Sequence, residues 1–306
     1  MKKVKFETLL KLNQTALFSL FVDMFSGDVF SVPGEYLLIP GSAPVLLVAH
    51  LDTVHRDTVR RIIKTDKGNV WSSPEGIGGD DRCGVHALLT VYGSAVKKPW
   101  LLFTCDEEIG GIGAQRFCQN HADGILPPEI DSLKYIIEID RKGRNDSVYY
   151  DCANGDFEKY VNSHGFETQY GSFSDISYIA PELGIAAVNL SSGYYSPHTI
   201  AEYINIRELN ETISKVAVMV QESVSADVPR YEYIERKRLP SYWEWEDDWY
   251  KFGDYNESSR AFDSEKTQYM YEELLSLYSP ADLDRILDEY GEIAIEIVYN
   301  LEFCSD

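Results

Sequence analysis

Short apolar runs alternate with helix-like segments along the first 230 residues of the chain. The runs are apolar at consecutive positions, as in strands that are buried on both faces of a sheet. This alternation predicts an α/β fold with three layers, in which a mixed, mostly parallel sheet lies between two layers of helices. The predicted strands are Val45–Asp52, Trp100–Cys105, Lys134–Asp140 and Gly184–Leu190, and the predicted helices are Gly84–Val96, a segment that begins at Ala114, and Ile206–Val224.

From Tyr231 onward the sequence loses this alternation and becomes aromatic, charged and non-periodic. Residues 231–306 contain 20 acidic residues against 7 Lys or Arg. One helix is well marked there, from an N-cap at Ser279 to a stop at Gly291. The sequence therefore predicts a domain over residues 1–230 and an acidic, aromatic-rich appendage with helical structure over 231–306, which either packs on that domain or forms a subdomain.

Composition restricts the compartment and the partners of the protein. Glu7, Lys11 and Asn13 interrupt the N-terminal apolar stretch, which favours an amphipathic helix over a signal peptide. The sequence contains no run of about 18 uncharged apolar residues to span a membrane. The five cysteines lack the spacing of a disulfide framework, so we expect a reducing cytoplasm. A formal net charge of −22 argues against a nucleic-acid partner, because phosphate would be repelled.

Acidic residues and histidines are concentrated where the predicted strands end. Three strands end in HLD, CDEE and EID, and two loops add GGDD and SPHT. Because the carboxyl ends of parallel strands share one edge of a sheet, these groups should lie together in space. Their nitrogen and oxygen donors suit zinc, cobalt or manganese, and two divalent cations would cancel the charge of four such carboxylates. The candidate residues are His50, Asp52, Asp80, Asp81, Asp106, Glu107, Glu108, Glu138, Asp140 and His198.

Five motifs, HLDTV, GGDDRCG, DEEIGGIGA, EIDR and SPHT, occur in one order between Val48 and Thr199. On these motifs the chain resembles the di-zinc exopeptidase superfamily. This superfamily includes aminopeptidase T-like tripeptidases, glutamate carboxypeptidase-like enzymes, acetylornithine deacetylase-like amidases and lid-less leucyl aminopeptidases. The resemblance implies a phosphorylase/hydrolase-like core that binds two divalent metal ions, zinc or else cobalt or manganese.

The resemblance also assigns the metal ligands. Asp80 would bridge the two ions. His50 and Asp140 would complete one site, and Glu108 and His198 would complete the other. Together these five residues imply a centre built from a buried strand, two loops and two further strand ends.

Two acidic residues would act beside the ligands without binding metal. Glu107 resembles the general base of the superfamily, which takes a proton from the attacking water and delivers it to the leaving amine. Asp52 would accept the second N–H of the His50 imidazole and so fix its tautomer. The Asp80–Asp81 peptide bond is often cis in this superfamily.

Several of these assignments have alternatives in the sequence. Glu138 lies on the same face of its strand as Asp140, so either residue fits the third strand end. His164 is a possible substitute for His198. Asp175 follows a serine in a pattern seen in some members of the superfamily, and it would shape the pocket, meet a substrate amine or cap a helix.

The spacing of the last two ligands bears on the substrate. Asp140 and His198 are 58 positions apart, which leaves no room for the inserted lid of about one hundred residues that many superfamily members contain. Because lid-less relatives are mostly aminopeptidases, we expect an aminopeptidase that acts on short peptides. The alternatives are an N-acyl amino-acid amidase or carboxypeptidase, with an acylated amino acid as substrate, and a non-catalytic metal-binding interaction protein. The oligomeric state stays open.

Overall fold

Contacts divide the chain into two units, Met1–Arg236 and Lys237–Asp306. The first unit thus includes the six residues that follow the expected boundary at residue 230. The structure is a computed structural model. It describes residues 4–27, 29–171, 173–236 and 265–274, together with seven single positions between 278 and 299.

The strands of the first unit include all four that the apolar runs predict, each within three residues of the predicted bounds. The other strands are mostly three or four residues long, which is too short to leave a periodic pattern in the sequence. The strands are β1 (Phe30–Val32), β2 (Tyr36–Ile39), β3 (Val45–His50), β4 (Ile63–Thr65), β5 (Val70–Ser72), β6 (Trp100–Thr104), β7 (Tyr135–Arg141), β8 (Asp146–Val148), β9 (Glu167–Gln169), β10 (Ala187–Ser191), β11 (Tyr194–Tyr195) and β12 (Tyr203–Asn205).

The helices include the three predicted between Gly84 and Val224. They are α1 (Phe6–Leu10), α2 (Gln14–Met24), α3 (Gly79–Ser94), α4 (Ile112–Ala122), α5 (Gly155–Ser163), α6 (Ile176–Leu183), α7 (Ile206–Glu222) and α8 (Glu265–Leu274). The N-terminal amphipathic segment forms two helices rather than one, because Asn13 caps α2 and its side chain accepts a hydrogen bond from the Ala16 N–H at 2.9 Å. Short 3₁₀ turns occupy Asp66–Gly68 and Pro128–Ser132.

The larger sheet has the strand order β1-β2-β6-β3-β7-β10-β8-β9. Its central strands β6, β3, β7 and β10 pair in parallel, as do β8 and β9. The remaining pairings are antiparallel. The carboxyl ends of the four central strands therefore lie along one edge. The α/β fold with a mixed, mostly parallel sheet is confirmed.

Helices cover both faces of this sheet. Leu47 and Ala49 of β3 face a core that contains residues of α1, α2, α3, α5 and α7. Leu46 and Val48 face a second core with residues of α4 and α6. Because successive strand residues point to opposite faces, a strand covered on both sides is apolar at every position. This burial accounts for the continuous apolar runs in the sequence.

A smaller antiparallel sheet, in the order β11-β12-β5-β4, lies beside the site described below. Strand β5 leads through residues 73–78 into α3, and the loop 196–202 joins β11 to β12. Since β5 pairs with β12, the loop before α3 and the loop that carries His198 are held next to each other.

The second unit contains α8 among its described residues. Met270, Leu274, Leu283 and Ile295 form a small buried cluster there. The predicted helix from Ser279 to Gly291 lies almost entirely outside the described residues. Among the helices of the described residues, none has both the length and the apolar composition needed to cross a membrane.

Candidate active site

The strand-end motifs meet at one edge of the larger sheet. His50 is the last residue of β3, Glu107 and Glu108 follow β6, and Asp140 is the penultimate residue of β7. Strands β6, β3 and β7 are neighbours in parallel, so their carboxyl ends are adjacent. The convergence expected from the sequence follows directly from this strand order.

Two loops bring Asp80 and His198 to the same edge. Asp80 and Asp81 lie at the start of α3 with non-helical backbone angles, and the peptide bond between them is cis. His198 has a φ of 60°. This left-handed conformation is uncommon outside glycine and is concentrated at functional sites.

Asp80 occupies the middle of the cluster. Its Oδ1 lies 2.9 Å from Nε2 of His50, and its Oδ2 lies 3.3 Å from Nε2 of His198. Asp140 approaches the first histidine, with 3.5 Å between Oδ1 and Nε2 of His50. Glu108 approaches the second, with 3.1 Å between Oε2 and Nε2 of His198. The five residues thus form two groups that share one carboxylate.

Asp81, to which the resemblance assigns no ligand role, also lies within this cluster. Two groups of three residues could each hold a metal ion, because one ligand atom from each member lies within 4.8 Å of the others. The groups are His50, Asp81 and Asp140, and His50, Asp80 and Glu108. Asp81 Oδ1 accepts a hydrogen bond from the Gly84 N–H at 2.8 Å. Its Oδ2 is buried without a hydrogen-bond partner.

Asp52 connects His50 to the loop after β6. Its Oδ1 lies 3.1 Å from Nδ1 of His50, and its two oxygens accept hydrogen bonds from the backbone N–H groups of Glu107 and Glu108 at 3.1 and 3.0 Å. Burial alone would raise the pKa of Asp52, but the charge and hydrogen bond of His50 hold it below its usual value. One ionised carboxylate therefore orients the imidazole and fixes the acidic loop.

Glu107 and Asp106 have different surroundings although they are adjacent in sequence. The Glu107 carboxyl is largely buried beside the cluster, and this burial raises its pKa to about 8. A pKa near neutrality suits a group that exchanges protons. Asp106 instead accepts a hydrogen bond from the Gln14 side chain at 2.8 Å and donates its own N–H to that side chain at 3.1 Å.

The sequence left two pairs of residues as alternatives, Asp140 or Glu138 and His198 or His164, and the members of each pair lie in different places in the structure. Asp140 faces His50, whereas the Glu138 carboxyl is buried deeper and accepts a hydrogen bond from the Ser174 hydroxyl. His198 lies in the cluster. His164 follows α5 and lies 2.9 Å from Glu222, and it belongs to neither group of possible metal ligands found among the described residues.

Sequence reasoning missed Glu202 and His55. The Glu202 carboxylate is fully buried and accepts hydrogen bonds from the backbone N–H groups of Gly78 and Asp80 at 2.9 and 3.0 Å. Its Oε2 also lies 2.7 Å from Nε2 of His55. Glu202 follows His198 by four residues, so it ties the two loops together. In the sequence it is an ordinary acid before a short strand, and nothing there indicates burial.

Asp175 is a further buried acid near the site. It occupies the N-cap position of α6, but its side chain makes no capping hydrogen bond. Its Oδ2 instead accepts a hydrogen bond from the Thr104 hydroxyl, and its Oδ1 is buried without a hydrogen-bond partner. Burial raises the pKa of Asp175 to about 6. The capping role considered from the sequence is therefore not the one that this side chain has.

The donor set fits divalent metal ions. Imidazole nitrogens and carboxylate oxygens are ligands for zinc, cobalt and manganese. Glu108 Oε1 and Asp81 Oδ2 are buried without a hydrogen-bond partner, and burial raises the pKa of both Asp81 and Asp140 well above the usual range. Buried carboxylates are costly unless a cation or hydrogen bonds compensate them. A pair of divalent cations would provide that compensation.

Comparison with solved structures finds the same fold in peptidases. A tripeptidase from Staphylococcus aureus has a TM-score of 0.54 and 15% identity, over 71% of this chain and 96% of that chain. Aminopeptidase PepT from Bacillus cereus has a TM-score of 0.54 and 14% identity, over 72% and 97%. A TET aminopeptidase from a marine-sediment Thaumarchaeota archaeon has a TM-score of 0.55 and 12% identity, over 72% and 96%.

At these identities the likeness establishes a shared fold. No family model matches the chain, and no curated protein matches it in sequence. Conclusions about chemistry therefore depend on the geometry of the cluster.

Proposed function

We propose that the first unit is a metal-dependent hydrolase that cleaves amide bonds, acting as a lid-less aminopeptidase on short peptides. The observation that carries this proposal is the position of Asp80, whose two carboxylate oxygens face two different histidines, His50 and His198. A carboxylate in this position is suited to bridge two divalent cations. Zinc is the favoured metal, with cobalt and manganese as alternatives.

The five ligands divide between two sites. In this proposal His50 and Asp140 hold one ion, Glu108 and His198 hold the other, and Asp80 holds both. The contacts of Asp140 with His50 and of Glu108 with His198 support this division. Ions bound there would supply Lewis-acid polarisation of the scissile carbonyl and a lower pKa for the attacking water.

Glu107 is the proposed general base. Its carboxylate form takes a proton from the attacking water and delivers it to the leaving amine. Asp52 accepts a hydrogen bond from the Glu107 backbone N–H and lies next to the His50 imidazole. The same Asp52 carboxylate therefore anchors both the backbone of the residue that carries the base and the side chain of a ligand.

A buried carboxyl group outside the ligand set favours a substrate with a cationic end. Asp175 has one oxygen that is buried without a hydrogen-bond partner, and its pKa of about 6 lies below neutral pH. Its negative charge attracts an α-ammonium group, whereas an N-acylated end is neutral and gains nothing from it. The tripeptidase and aminopeptidases among the solved structures of this fold agree with this choice.

The test combines metal analysis with a substrate panel. The full chain is loaded with zinc, its metal content is measured, and hydrolysis of aminoacyl-anilides, short peptides and N-acetyl amino acids is compared with a Glu107→Gln variant. Loss of general base catalysis predicts a decrease in kcat of about a hundredfold to ten-thousandfold in the variant. The metal content should be unchanged, because Glu107 is not a proposed ligand.

Each alternative has its own outcome. Turnover of blocked substrates without turnover of free amines would replace the aminopeptidase by an N-acyl amino-acid amidase or carboxypeptidase. Metal binding without hydrolysis above the Glu107→Gln control would leave a non-catalytic metal-binding protein. Absence of metal binding would remove the proposal altogether.

A further inference from the structure

Four exposed apolar side chains border the site next to Glu107. Ile109 and Ile112 follow the two glutamates, and Phe173 and Tyr178 lie at the start of α6. Their exposed fractions are 70%, 41%, 39% and 36%. We call this set the apolar lip. Exposed apolar side chains grouped beside a polar site are suited to contact an apolar group of a ligand.

The two halves of the lip are neighbours, because Gly111, which lies between Ile109 and Ile112 in the chain, is next to both aromatic rings. The rings of Phe173 and Tyr178 pack edge to face, with centroids 5.3 Å apart. A Cβ atom at Gly111 would lie 3.0 Å from the Tyr178 ring and 3.2 Å from the Phe173 ring. The glycine therefore allows the loop that carries the glutamates to pack directly on the aromatic pair.

Asp175 lies under this surface. The same Cβ at Gly111 would be 3.2 Å from Asp175 Oδ1, the oxygen that is buried without a hydrogen-bond partner. The Asp175 side chain does not cap α6, so no helix terminus compensates its charge through a hydrogen bond. In surroundings of low polarity an uncompensated charge acts over several ångströms. The Asp175 carboxyl thus lies next to Gly111, a residue of the loop that carries Glu107.

We propose that the apolar lip and Asp175 form the subsite for the N-terminal residue of the substrate, and that this residue has a large apolar side chain. The inference rests on the proposed function. In an aminopeptidase the scissile carbonyl is bonded to the carbon that carries both the α-ammonium group and the side chain, so both must lie close to the general base. The lip offers apolar contact there, and Asp175 attracts the ammonium group.

The experiment measures kcat/KM of the zinc-loaded full chain for Phe-Gly, Leu-Gly, Lys-Gly, Glu-Gly and Gly-Gly. Wild type should prefer Phe-Gly and Leu-Gly over Gly-Gly. In Phe173→Ala and Tyr178→Ala, kcat/KM for Phe-Gly should fall about tenfold to a hundredfold, while that for Gly-Gly stays within about twofold. Phe173→Leu should restore most of the loss, and Phe30→Ala, which removes an exposed apolar side chain from β1, should change nothing.

Asp175→Asn tests the second half of the subsite. The KM for free-amine dipeptides should rise about tenfold, with a smaller change in kcat, because the attraction between the buried carboxylate and the charged amine is lost. Equal turnover of Phe-Gly and Gly-Gly by wild type, or equal losses on both in the lip variants, would overturn the subsite and leave the hydrolase intact. Better cleavage of N-acetyl-Phe than of Phe-Gly would also overturn it. If no substrate is hydrolysed, the proposed function itself fails.

Discussion

The two halves of the cluster are built differently. The strand half, His50 with Asp52 and Asp140, belongs to the ends of β3 and β7, and the His50 side chain is 1% exposed. The loop half, Glu108 with His198, lies on two loops, and the His198 side chain is 45% exposed. The first half is fixed by the sheet. The second half depends on contacts between loops.

For the proposed metal centre, this difference predicts two sites of unequal affinity. On the strand half, Asp52 restrains the imidazole of His50 before any ligand arrives, which lowers the entropic cost of binding. On the loop half, the His198 side chain is 45% exposed and contacts the acids Asp80 and Glu108, and its loop is not part of the larger sheet. We therefore expect the strand half to hold its ion more tightly than the loop half.

The largest effect on the metal centre is expected for Asp80→Asn, which removes the carboxylate shared by both halves. An amide keeps the shape but has only one oxygen donor, so it cannot serve two ions. Metal content should fall to at most one equivalent, and kcat/KM should fall at least about a thousandfold. Elemental analysis and kinetics on Phe-Gly check this. Retention of both equivalents would show that Asp80 does not bridge.

A paired substitution separates the halves. His50→Gln should lose the tighter ion and destabilise the fold by about 1–3 kcal/mol, because it leaves the buried Asp52 and Asp140 without the imidazole. His198→Gln should lose the weaker ion and change the free energy of unfolding by less than about 0.5 kcal/mol, because the side chain is half exposed. Chelator titration and urea unfolding measure the two quantities. Equal effects in both variants would contradict the comparison.

Glu202→Gln should weaken the loop half without replacing a proposed ligand. A glutamine cannot accept all the hydrogen bonds that Glu202 accepts from Gly78, Asp80 and His55. Metal affinity of the weaker site should fall about tenfold to a hundredfold, as for other residues that support ligands. The matched control is Glu211→Gln, which removes a more exposed carboxylate that pairs with Arg144. A similar loss in both variants would assign the effect to net charge alone.

The smallest effect on metal content is expected for Asp175→Asn, since Asp175 belongs to neither half. Its pKa is about 6 in the folded protein against an ordinary 3.8. The carboxyl group therefore stays protonated up to a higher pH in the folded state than in the unfolded state. Stability therefore falls as pH rises from about 4 to 6, by up to about 3 kcal/mol. The side chain of the Asp175→Asn variant does not titrate, so the variant does not lose stability in this way as the pH rises. Urea unfolding between pH 4 and 7 should show an advantage that grows through that window, and a pH-independent difference would contradict the prediction.

Much of the fold could be predicted because its long strands are buried on both faces. Apolar runs such as Val45–Asp52 retain their pattern whatever packs on them, and the structure places β3 within two residues of it. The short strands of the smaller sheet and the break between α1 and α2 were missed, because three-residue elements and a single capping side chain leave no periodic signal.

Part of the candidate site could be predicted from the sequence for a related reason. A histidine or acid at the end of an apolar run stands out, so His50, Glu107, Glu108 and Asp140 were found as strand ends. The buried positions of Glu202 and Asp175 were not predicted, because their burial depends on elements that are distant in sequence. Glu202 contacts the loop before α3, more than one hundred positions earlier.

The sequence by itself determined the layers, the strands that carry the acids and the chemistry of their side chains, because hydrophobic patterning and donor type are local properties. Only the tertiary structure decided that Asp80 faces two histidines and that Asp140 rather than Glu138 meets His50. It also decided that the aromatic half of the apolar lip lies next to Gly111, in the loop that carries Glu107. Those outcomes depend on strand order and loop packing, which bring together groups that no local pattern connects.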